Sequence, residues 1–493
     1  MTRSWHIILF IFACLSSKGQ TITFDSVYYL TSYSSGTSVI EEDSGYTVCG
    51  LGYSNQLSGF TGINIFKTDN YGNVLQQKVI GRSQTGHYPG PNGALKKLPD
   101  SNYILGAAVE FYDSAVVSRG LFLKLDSHFD TIWTYVYGNH NEDYFNDSYL
   151  STDNNYLAVG LKGNASGSMV LVKLSPTGQV IWERAYGGND IDVGVMVGEQ
   201  EDGRIIIAGL TASFGNGSID GYLVKTDSSG SLLWQKTIGK LGDDSEVRVR
   251  TTNDGGYLIW GSMDTITANG SSYLMKLDSD GEVVWKLFFN KDYRTQYGVL
   301  QAREVGKYIY IVGFYDTIQS GEIGWMAKFD SMGALIWQHF HRHVDSQISD
   351  FNYFYDFAPT RDGGFILTGS TEGVNTNGSG QQGVWLLKVD SLGCLTPGCD
   401  TLPCQLPPCD TVGIGETAFP KIWVYPNPAT NHLTIELSTY TQPTTFALYD
   451  LLGRKALETV LESHRTELDI TSLPDGLYLY KAGGAIGKVQ VLR

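Results

Sequence analysis

The stretch that decides the fold runs from Leu223 to Gly239, LVKTDSSGSLLWQKTIG. An apolar, β-favouring run ends at Lys225, an Asp-Ser-Ser-Gly turn follows, and the next run carries Trp234. Asp favours such turns because its side chain accepts hydrogen bonds from the backbone two residues on, and Gly adopts positive φ freely. The stretch therefore predicts a β-hairpin with a Trp on the buried side of its second strand.

The Lys-x-Asp element of this hairpin recurs along the chain, which predicts a repeat architecture. Six copies keep both residues, and in a seventh Ser175 takes the place of Asp. Successive Lys residues lie between 49 and 60 positions apart. The seven copies carry Lys67, Lys124, Lys173, Lys225, Lys276, Lys328 and Lys388.

A second landmark in each copy is a turn followed by a short β-like run that ends in Gly, as from Asp254 to Gly261. One period therefore holds four strands: one before this turn, one after it, one ending in Lys-x-Asp, and one bearing the Trp. Four antiparallel strands per repeat, with aromatic residues at fixed places, are typical of a β-propeller blade.

Five copies carry a Trp nine residues after the Lys, whereas the first has Gln76 there and the last has Pro397. Burying an aromatic ring between adjacent blades stabilises by a few kcal/mol. We expect these residues to pack one blade against the next: Trp133, Trp182, Trp234, Trp285 and Trp337.

The two ends of the repeat region suggest how the ring closes. The last copy runs into Pro and Cys after Gly393 without a fourth strand, and the run Ile22–Leu30 offers one spare strand. Closure would hide sheet edges that otherwise promote aggregation. The sequence predicts an all-β fold: a seven-bladed β-propeller over residues 21–393, with the N-terminal strand closing the last blade. Six or eight blades are the alternatives.

The repeat resembles bacterial secreted β-propeller repeats. Over Lys-x-Asp-x-x-Gly-x-x-x-Trp alone, it is also similar to the Trp-bearing blades of quinoprotein-like propellers. That resemblance implies a structural role for the Trp in docking blades. No separate set of residues for a quinone or its calcium accompanies it, so we predict no cofactor.

Residues 1–20 are predicted to be a signal peptide, because Arg3 and His6 precede the apolar run Ile7–Leu15 and small and polar residues follow. A lipid anchor on Cys14 is the alternative. No later stretch reaches the ~18 apolar residues of a membrane span, so no transmembrane segment is predicted. The net charge of −16 argues against nucleic acid as a partner.

Residues 394–418 are rich in Pro and Cys and are predicted to be a linker. Structural zinc sites favour pairs of Cys separated by two to four residues, whereas four Cys here lie at intervals of five. In an exported protein we expect disulfides instead, with three possible connectivities among Cys394, Cys399, Cys404 and Cys409. Cys49 lies in a β-like run and is expected to be buried.

Residues 419–493 alternate apolar and polar positions between Gly and Pro turns, which predicts a small β-sandwich of about seven strands. They resemble the type A C-terminal sorting domain of the type IX secretion system of Bacteroidota. That resemblance implies contacts with the type IX translocon and sortase, and a protein secreted to the extracellular space or the outer-membrane surface. It depends on Pro426, Asn427, Pro428, Asp450, Gly453, Arg454, Leu473, Pro474, Gly476 and Tyr478.

One cluster suggests metal binding. His339, His341 and His343 alternate along a predicted strand and so share one face, as three imidazole ligands would. We prefer a packing role for His341, because other copies have an apolar or aromatic residue at its place. Those residues are Tyr137, Tyr186, Ile238 and Phe289.

The chain lacks G-x-S-x-G and H-E-x-x-H motifs, and we predict no catalytic residues. We expect a non-catalytic, exported propeller that binds an extracellular protein or glycan through one face of the ring. One alternative is a glycan hydrolase or lyase whose acid and base come from different blades. Another is a structural or adhesion component of the cell surface.

Overall fold

The computed structural model describes residues 22–30, 33–54, 57, 59–91, 93–112, 116–163, 166–239, 244, 247–263, 271–289, 295–317, 321–343, 351–374, 380–396, 399, 422–437, 443–450, 454–482 and 485–492. The predicted signal peptide lies outside these ranges, as does most of the predicted linker. The chain forms two compact units, Met1–Cys409 and Asp410–Arg493. Within the described ranges, no helix is long and apolar enough to cross a membrane.

The first unit is a β-propeller of seven antiparallel sheets. Its first strands are β1 (Phe24–Tyr28), β2 (Ser34–Glu42), β3 (Gly45–Ser54), β4 (Phe60–Thr68), β5 (Val74–Ile80), β6 (Thr85–Pro89), β7 (Leu95–Lys97), β8 (Tyr103–Tyr112), β9 (Val116–Leu125) and β10 (Thr131–Tyr137). The next are β11 (Tyr144–Leu150), β12 (Tyr156–Lys162), β13 (Ser168–Leu174), β14 (Val180–Tyr186), β15 (Asp192–Glu199), β16 (Ile205–Thr211), β17 (Asp220–Thr226), β18 (Leu232–Ile238), β19 (Arg248–Thr251) and β20 (Tyr257–Met263). The last are β21 (Ser271–Leu277), β22 (Val283–Phe289), β23 (Thr295–Val305), β24 (Tyr308–Thr317), β25 (Gly321–Asp330), β26 (Leu335–His341), β27 (Asn352–Pro359), β28 (Phe365–Val374) and β29 (Gly380–Val389).

Each sheet corresponds to one repeat of the sequence. Blade one is β2–β5, blade two β6–β10, blade three β11–β14, blade four β15–β18, blade five β19–β22, and blade six β23–β26. Blade seven consists of β27–β29 together with β1. The predicted seven-bladed architecture is therefore confirmed.

The N-terminal strand closes the ring as predicted, although it is shorter than the run Ile22–Leu30. Strand β1 pairs antiparallel with β29, with Phe24 opposite Lys388. Asp25 Oδ1 accepts a hydrogen bond from Trp385 Nε1 of blade seven at 2.7 Å. The same oxygen lies 3.0 Å from Nδ1 of His343, which follows the outer strand of blade six. The closing strand is thus tied to two blades.

Blade two departs from the predicted four strands because its first strand is interrupted. Strands β6 and β7 both pair with β8, and Pro89, Gly90 and Pro91 lie at or beyond the end of β6. Proline has no N–H to donate to a ladder, so the pairing cannot run through this segment unbroken. Two short strands replace one long one.

The core is divided among the interfaces between blades. One cluster joins Leu157, Val159 and Leu171 of blade three to Ile205 and Ile207 of blade four, all at most 1% exposed. The middle strands are covered on both faces and are continuously apolar, whereas the outer strand β18 alternates exposed and partly buried residues. Burial between blades therefore sets the pattern of the repeat.

The Lys-x-Asp turn has the geometry that its sequence suggests. Asp227 Oδ1 accepts hydrogen bonds from the N–H groups of Ser229 and Ser231, at 2.8 and 2.9 Å. Gly230 has φ +79°, which favours glycine. The same pair of bonds forms at Asp69, Asp126, Asp278, Asp330 and Asp390.

The second unit has seven strands in two sheets, in agreement with the predicted sandwich. The strands are β30 (Ile422–Tyr425), β31 (His432–Leu437), β32 (Thr444–Tyr449), β33 (Lys455–Leu461), β34 (Arg465–Asp469), β35 (Gly476–Ala482) and β36 (Ala485–Val491). One sheet has the order β30-β31-β34 and the other β33-β32-β35-β36. Leu433, Ile435, Phe446 and Val489 are buried in a core that draws on both sheets.

Candidate functional site

A cavity of about 430 Å³ lies on the axis of the propeller. At six of the seven interfaces between blades the first strands of the neighbouring blades contact one another, so these strands lie nearest the axis. Six of the seven blades contribute residues of their first strands, or residues next to them, to the cavity wall. The polar side chains on this wall include Glu41, Lys96, Tyr149, Arg250, Arg303 and Asp356.

Asp147 of β11 joins three blades beside this cavity. Its Oδ1 accepts a hydrogen bond from Lys96 Nζ of blade two at 3.1 Å, and its Oδ2 accepts one from Val197 N of blade four at 3.2 Å. The Asp147 side chain is 1% exposed. A buried carboxylate is tolerated only where donors and charges surround it. Asp147 therefore fixes the position of the Lys96 ammonium.

Asp356 of β27 joins three further blades. Its Oδ1 accepts hydrogen bonds from Arg303 Nη2 and Gln301 Nε2 of blade six, at 2.5 and 3.2 Å. Its Oδ2 accepts a bond from Val39 N of blade one at 3.0 Å. This carboxylate is also almost fully buried. It orients one edge of the Arg303 guanidinium.

Arg250 of β19 is the cation that blade five adds to the cavity. A Cβ built on Gly93 would lie 3.4 Å from Arg250 Nη2 and 3.2 Å from Asp356 Oδ2. Gly93 also has φ +92°, so a larger residue would be strained and would enter the space between these groups. Burial and the neighbouring Arg303 lower the pKa of the Arg250 guanidinium.

Sequence reasoning did not identify these axial residues, although the repeat contains a signal for two of them. Asp147 and Asp356 each stand thirteen residues before the Gly that ends the second landmark, Gly160 and Gly369. A charge at a place that should be buried in an inner strand marks a candidate site. Lys96 lies in blade two, whose interrupted first strand cannot be aligned with the first strands of the other repeats from the sequence alone.

The five tryptophans predicted to pack blades together lie against the turn of the following blade. Trp133 Nε1 donates a hydrogen bond to Pro176 O at 3.1 Å, and Trp285 Nε1 donates one to Ser331 O at 3.0 Å. A Cβ on the turn glycine of the next blade would lie 2.8–3.2 Å from the indole in each case. The pairs are Trp133–Gly178, Trp182–Gly230, Trp234–Gly281, Trp285–Gly333 and Trp337–Gly393. Their contribution to stability stays a prediction.

The candidate metal cluster of three histidines is spread over different contacts. His343 lies against Asp25, and the rings of His339 and His341 have centroids 6.4 Å apart. Burial and the neighbouring His339 lower the pKa of His341 to about 4. His341 also faces Phe354, with ring centroids 6.1 Å apart. These surroundings agree with an aromatic packing position in the repeat.

Two of the four clustered cysteines form a disulfide, Cys394–Cys399, with Cα atoms 5.6 Å apart. Cys404 and Cys409 lie outside the described residues. Among those residues, the group whose atoms lie close enough to hold an ion is His339, Cys394 and Cys399, but both its thiols are used in the disulfide. Cys49 is buried, and burial raises the pKa of its thiol.

The sorting-motif residues organise the turns of the second unit. Asn427 donates to Lys488 O at 3.2 Å and accepts from Gln490 N at 2.9 Å, and Pro426 and Pro428 each follow a cis peptide bond. Two further side-chain hydrogen bonds lie within the motif: Arg454 Nε donates to Asp450 Oδ2, and Tyr478 OH donates to Pro474 O. Leu473 is buried, and Gly476 begins β35. Gly453 lies outside the described residues.

Residues 423–490 match the family model described as the secretion system C-terminal sorting domain. The predicted sorting domain is therefore confirmed. It assigns the protein to export by the type IX secretion system, to the extracellular space or the cell surface. No curated protein matches the chain.

Solved structures share the propeller architecture with this chain at low identity. The polysaccharide lyase Uly1 is 11% identical with a TM-score of 0.43, covering 72% of this chain and 90% of its own. A PL25 ulvan lyase is 10% identical with a TM-score of 0.46, covering 76% and 98%. The Pan2 WD40 domain of Neurospora crassa is 11% identical with a TM-score of 0.41, covering 71% and 88%. At these values the likeness says nothing about the activity of this chain.

Proposed function

We propose that this protein is a non-catalytic binding module, delivered outside the cell, that binds an extracellular protein or glycan through the axial cavity of its propeller. One observation carries the proposal: six blades place polar and charged side chains of their inner strands around a single cavity. Charged groups are costly to bury unless they are paired, so cations placed along the axis favour a binding role over a purely structural one.

The cavity reaches solvent. The side chains of Lys96 and Arg303 are 20% and 29% exposed, whereas the carboxylates that hold them are 1% and 2% exposed. The two cations are therefore accessible to solvent, while the carboxylates that bind them are buried. Ligand sites are concave and combine largely preformed walls with a few placed polar groups, which fits this arrangement.

The experiment is a binding screen of the exported protein against immobilised extracellular polysaccharides and matrix proteins, scored by biolayer interferometry. The matched control is the same protein with Gly93→Phe, which is designed to fill the cavity without altering its charges. We expect at least one polymer to bind wild type and not the filled variant. A folded filled variant that retains all binding, or a wild type that binds nothing, would contradict the proposal.

Catalysis is measured on the same polymers. Incubation with each polymer should release neither reducing ends nor an unsaturated uronate, because the proposed role is binding alone. Turnover of any polymer that disappears in Gly93→Phe would replace the proposal by the hydrolase or lyase alternative.

A further inference from the structure

The wall of the axial cavity carries more positive than negative charge. Four cations and two carboxylates line it, and a third carboxylate contacts one of the cations. The chain as a whole has a net charge of −16, so this excess is local. The cations are Lys96, Lys97, Arg250 and Arg303, and the carboxylates are Glu41, Asp356 and Asp147.

Two of these groups have charged partners that do not line the cavity. Lys97 forms a salt bridge with Glu42, and Glu41 forms one with Arg361, which also pairs with Asp43. The set that remains is three cations, Lys96, Arg250 and Arg303, against the two anchored carboxylates. The three cations therefore outnumber the two carboxylates anchored among them by one.

The guanidinium groups also have donors to spare. Among the described residues, Arg250 Nε, Arg250 Nη2 and Arg303 Nε are buried and meet no acceptor. A buried donor left without a partner costs about 1–3 kcal/mol. An acceptor that entered the cavity, with a small rotation of these side chains, would remove that cost. Guanidinium groups bind oxyanions in particular, because their planar N–H pairs match two oxygens.

The environment of Lys96 agrees with a positive potential in the cavity. Burial, opposed by Asp147 and reinforced by the nearby Arg250 and Arg303, lowers the pKa of Lys96 to about 8. An anion beside these three cations would relieve their mutual repulsion.

We infer that the axial cavity binds one oxyanionic group of the extracellular ligand, a carboxylate or a sulfate ester, between Arg250, Arg303 and Lys96. This inference rests on the proposed function, since it names the chemistry of the ligand that the cavity takes. The ligand is then an acidic polymer or an acidic segment of a protein, and one acid group of it occupies the axis.

The test is isothermal titration calorimetry of the exported protein with sodium sulfate and with sodium glucuronate, at constant ionic strength maintained with chloride. Because sulfate also stabilises proteins without binding at a specific site, the binding of each anion by wild type is compared with its binding by variants of the cavity. Arg250→Gln removes a cavity cation, and Arg204→Gln, on an exposed arginine paired with Asp202, is the matched control. We expect saturable binding of at least one anion, weakened tenfold or more in Arg250→Gln and unchanged in Arg204→Gln.

The outcomes separate this inference from the proposed function. Sulfate alone, glucuronate alone, or both identify the acid group, and each supports the inference. Equal binding by wild type and Arg250→Gln, or none by either, overturns it, even if a polymer binds in the screen above. Anion binding without any polymer binding supports the anion site in the cavity and overturns the proposed function. If Arg250→Gln fails to fold, Lys96→Met takes its place with the same expected loss.

Discussion

At the interface between blades one and two, Gln76 and Phe129 occupy the positions that hold Trp and Gly at five other interfaces between blades. Gln76 occupies the Trp position of blade one, and its Nε2 donates to His128 O in the turn of blade two at 2.7 Å. The next residue, Phe129, stands where other turns have Gly, with φ +63° and no exposed surface. Its ring packs on Tyr103 and lies 4.9 Å from Lys67 Nζ. The bulk that is absent from one strand is supplied by the facing turn.

This exchange predicts that the same swap is tolerated elsewhere in the ring. Trp234→Gln alone should lower the free energy of unfolding by about 2 kcal/mol, since the indole is partly buried. Gly281→Phe alone should also destabilise, because its Cβ would lie 2.9 Å from the indole at φ +77°. The double variant should be more stable than the sum of the two losses implies, as measured by urea unfolding.

The control for the swap is Leu233→Ala, on a neighbouring side chain that is 50% exposed. It should change the free energy of unfolding by less than about 0.5 kcal/mol. Strictly additive losses in the double variant would show that bulk at this interface is not exchangeable between strand and turn.

Asp25 is predicted to hold the ring closed. Asp25→Ala removes the acceptor of Trp385 Nε1 and the partner of His343, and it should lower the free energy of unfolding by about 1–3 kcal/mol. Asp25→Asn keeps an acceptor for the indole and should lose less. Differential scanning calorimetry of the exported protein measures both. Equal stability of wild type and Asp25→Ala would show that backbone pairing of β1 suffices.

His341 predicts a loss of stability in acid. Its pKa is lowered to about 4, mainly by burial, so the folded state binds this proton less readily than the unfolded state. The contribution of His341 to the free energy of unfolding is therefore fully present above the pKa of about 6.5 that the residue has in the unfolded chain. This contribution is lost as the pH falls toward 4. His341→Phe places an aromatic ring there, as in blade five. Its unfolding midpoint should vary less than that of wild type between pH 6.5 and 4; parallel curves would contradict the prediction.

Lys96 predicts how anion affinity changes with pH. It is charged below its pKa of about 8 and loses that charge as the pH rises, and it lies beside Arg250, Arg303 and Asp147. The affinity for sulfate should therefore fall between pH 7 and 9. Calorimetric titration at several pH values measures this change. In Lys96→Met the affinity should be lower and flat over this range, and a wild-type affinity that rises with pH would refute the assignment.

The repeat could be recognised in the sequence because most interfaces between blades use the same few residues. Asp227 caps its turn, Gly230 takes positive φ, and Trp234 lies on the next blade. These are local requirements, repeated in order, so spacing alone reveals them. The closing strand was also predictable, because the last repeat lacks a fourth strand and one additional strand precedes the first repeat.

The axial site could not be predicted because its residues are far apart in the sequence and form no local motif. Lys96, Arg250 and Arg303 are more than fifty positions apart from one another and meet only because the ring brings inner strands together. Each belongs to a different repeat. The three histidines drew attention because they are close in sequence, yet their side chains serve separate contacts.

The pairing of Phe24 with Lys388 means that the ring can close only after blade seven has been synthesised. Strand β1 has no sheet to join until the last blade has been made, since its partner lies more than 360 residues downstream. Contacts between such distant positions form late and slowly. A chain interrupted anywhere before blade seven leaves an open arc with two bare edges. Only a chain that extends through blade seven can close the ring, and only such a chain can also carry the sorting domain that follows it.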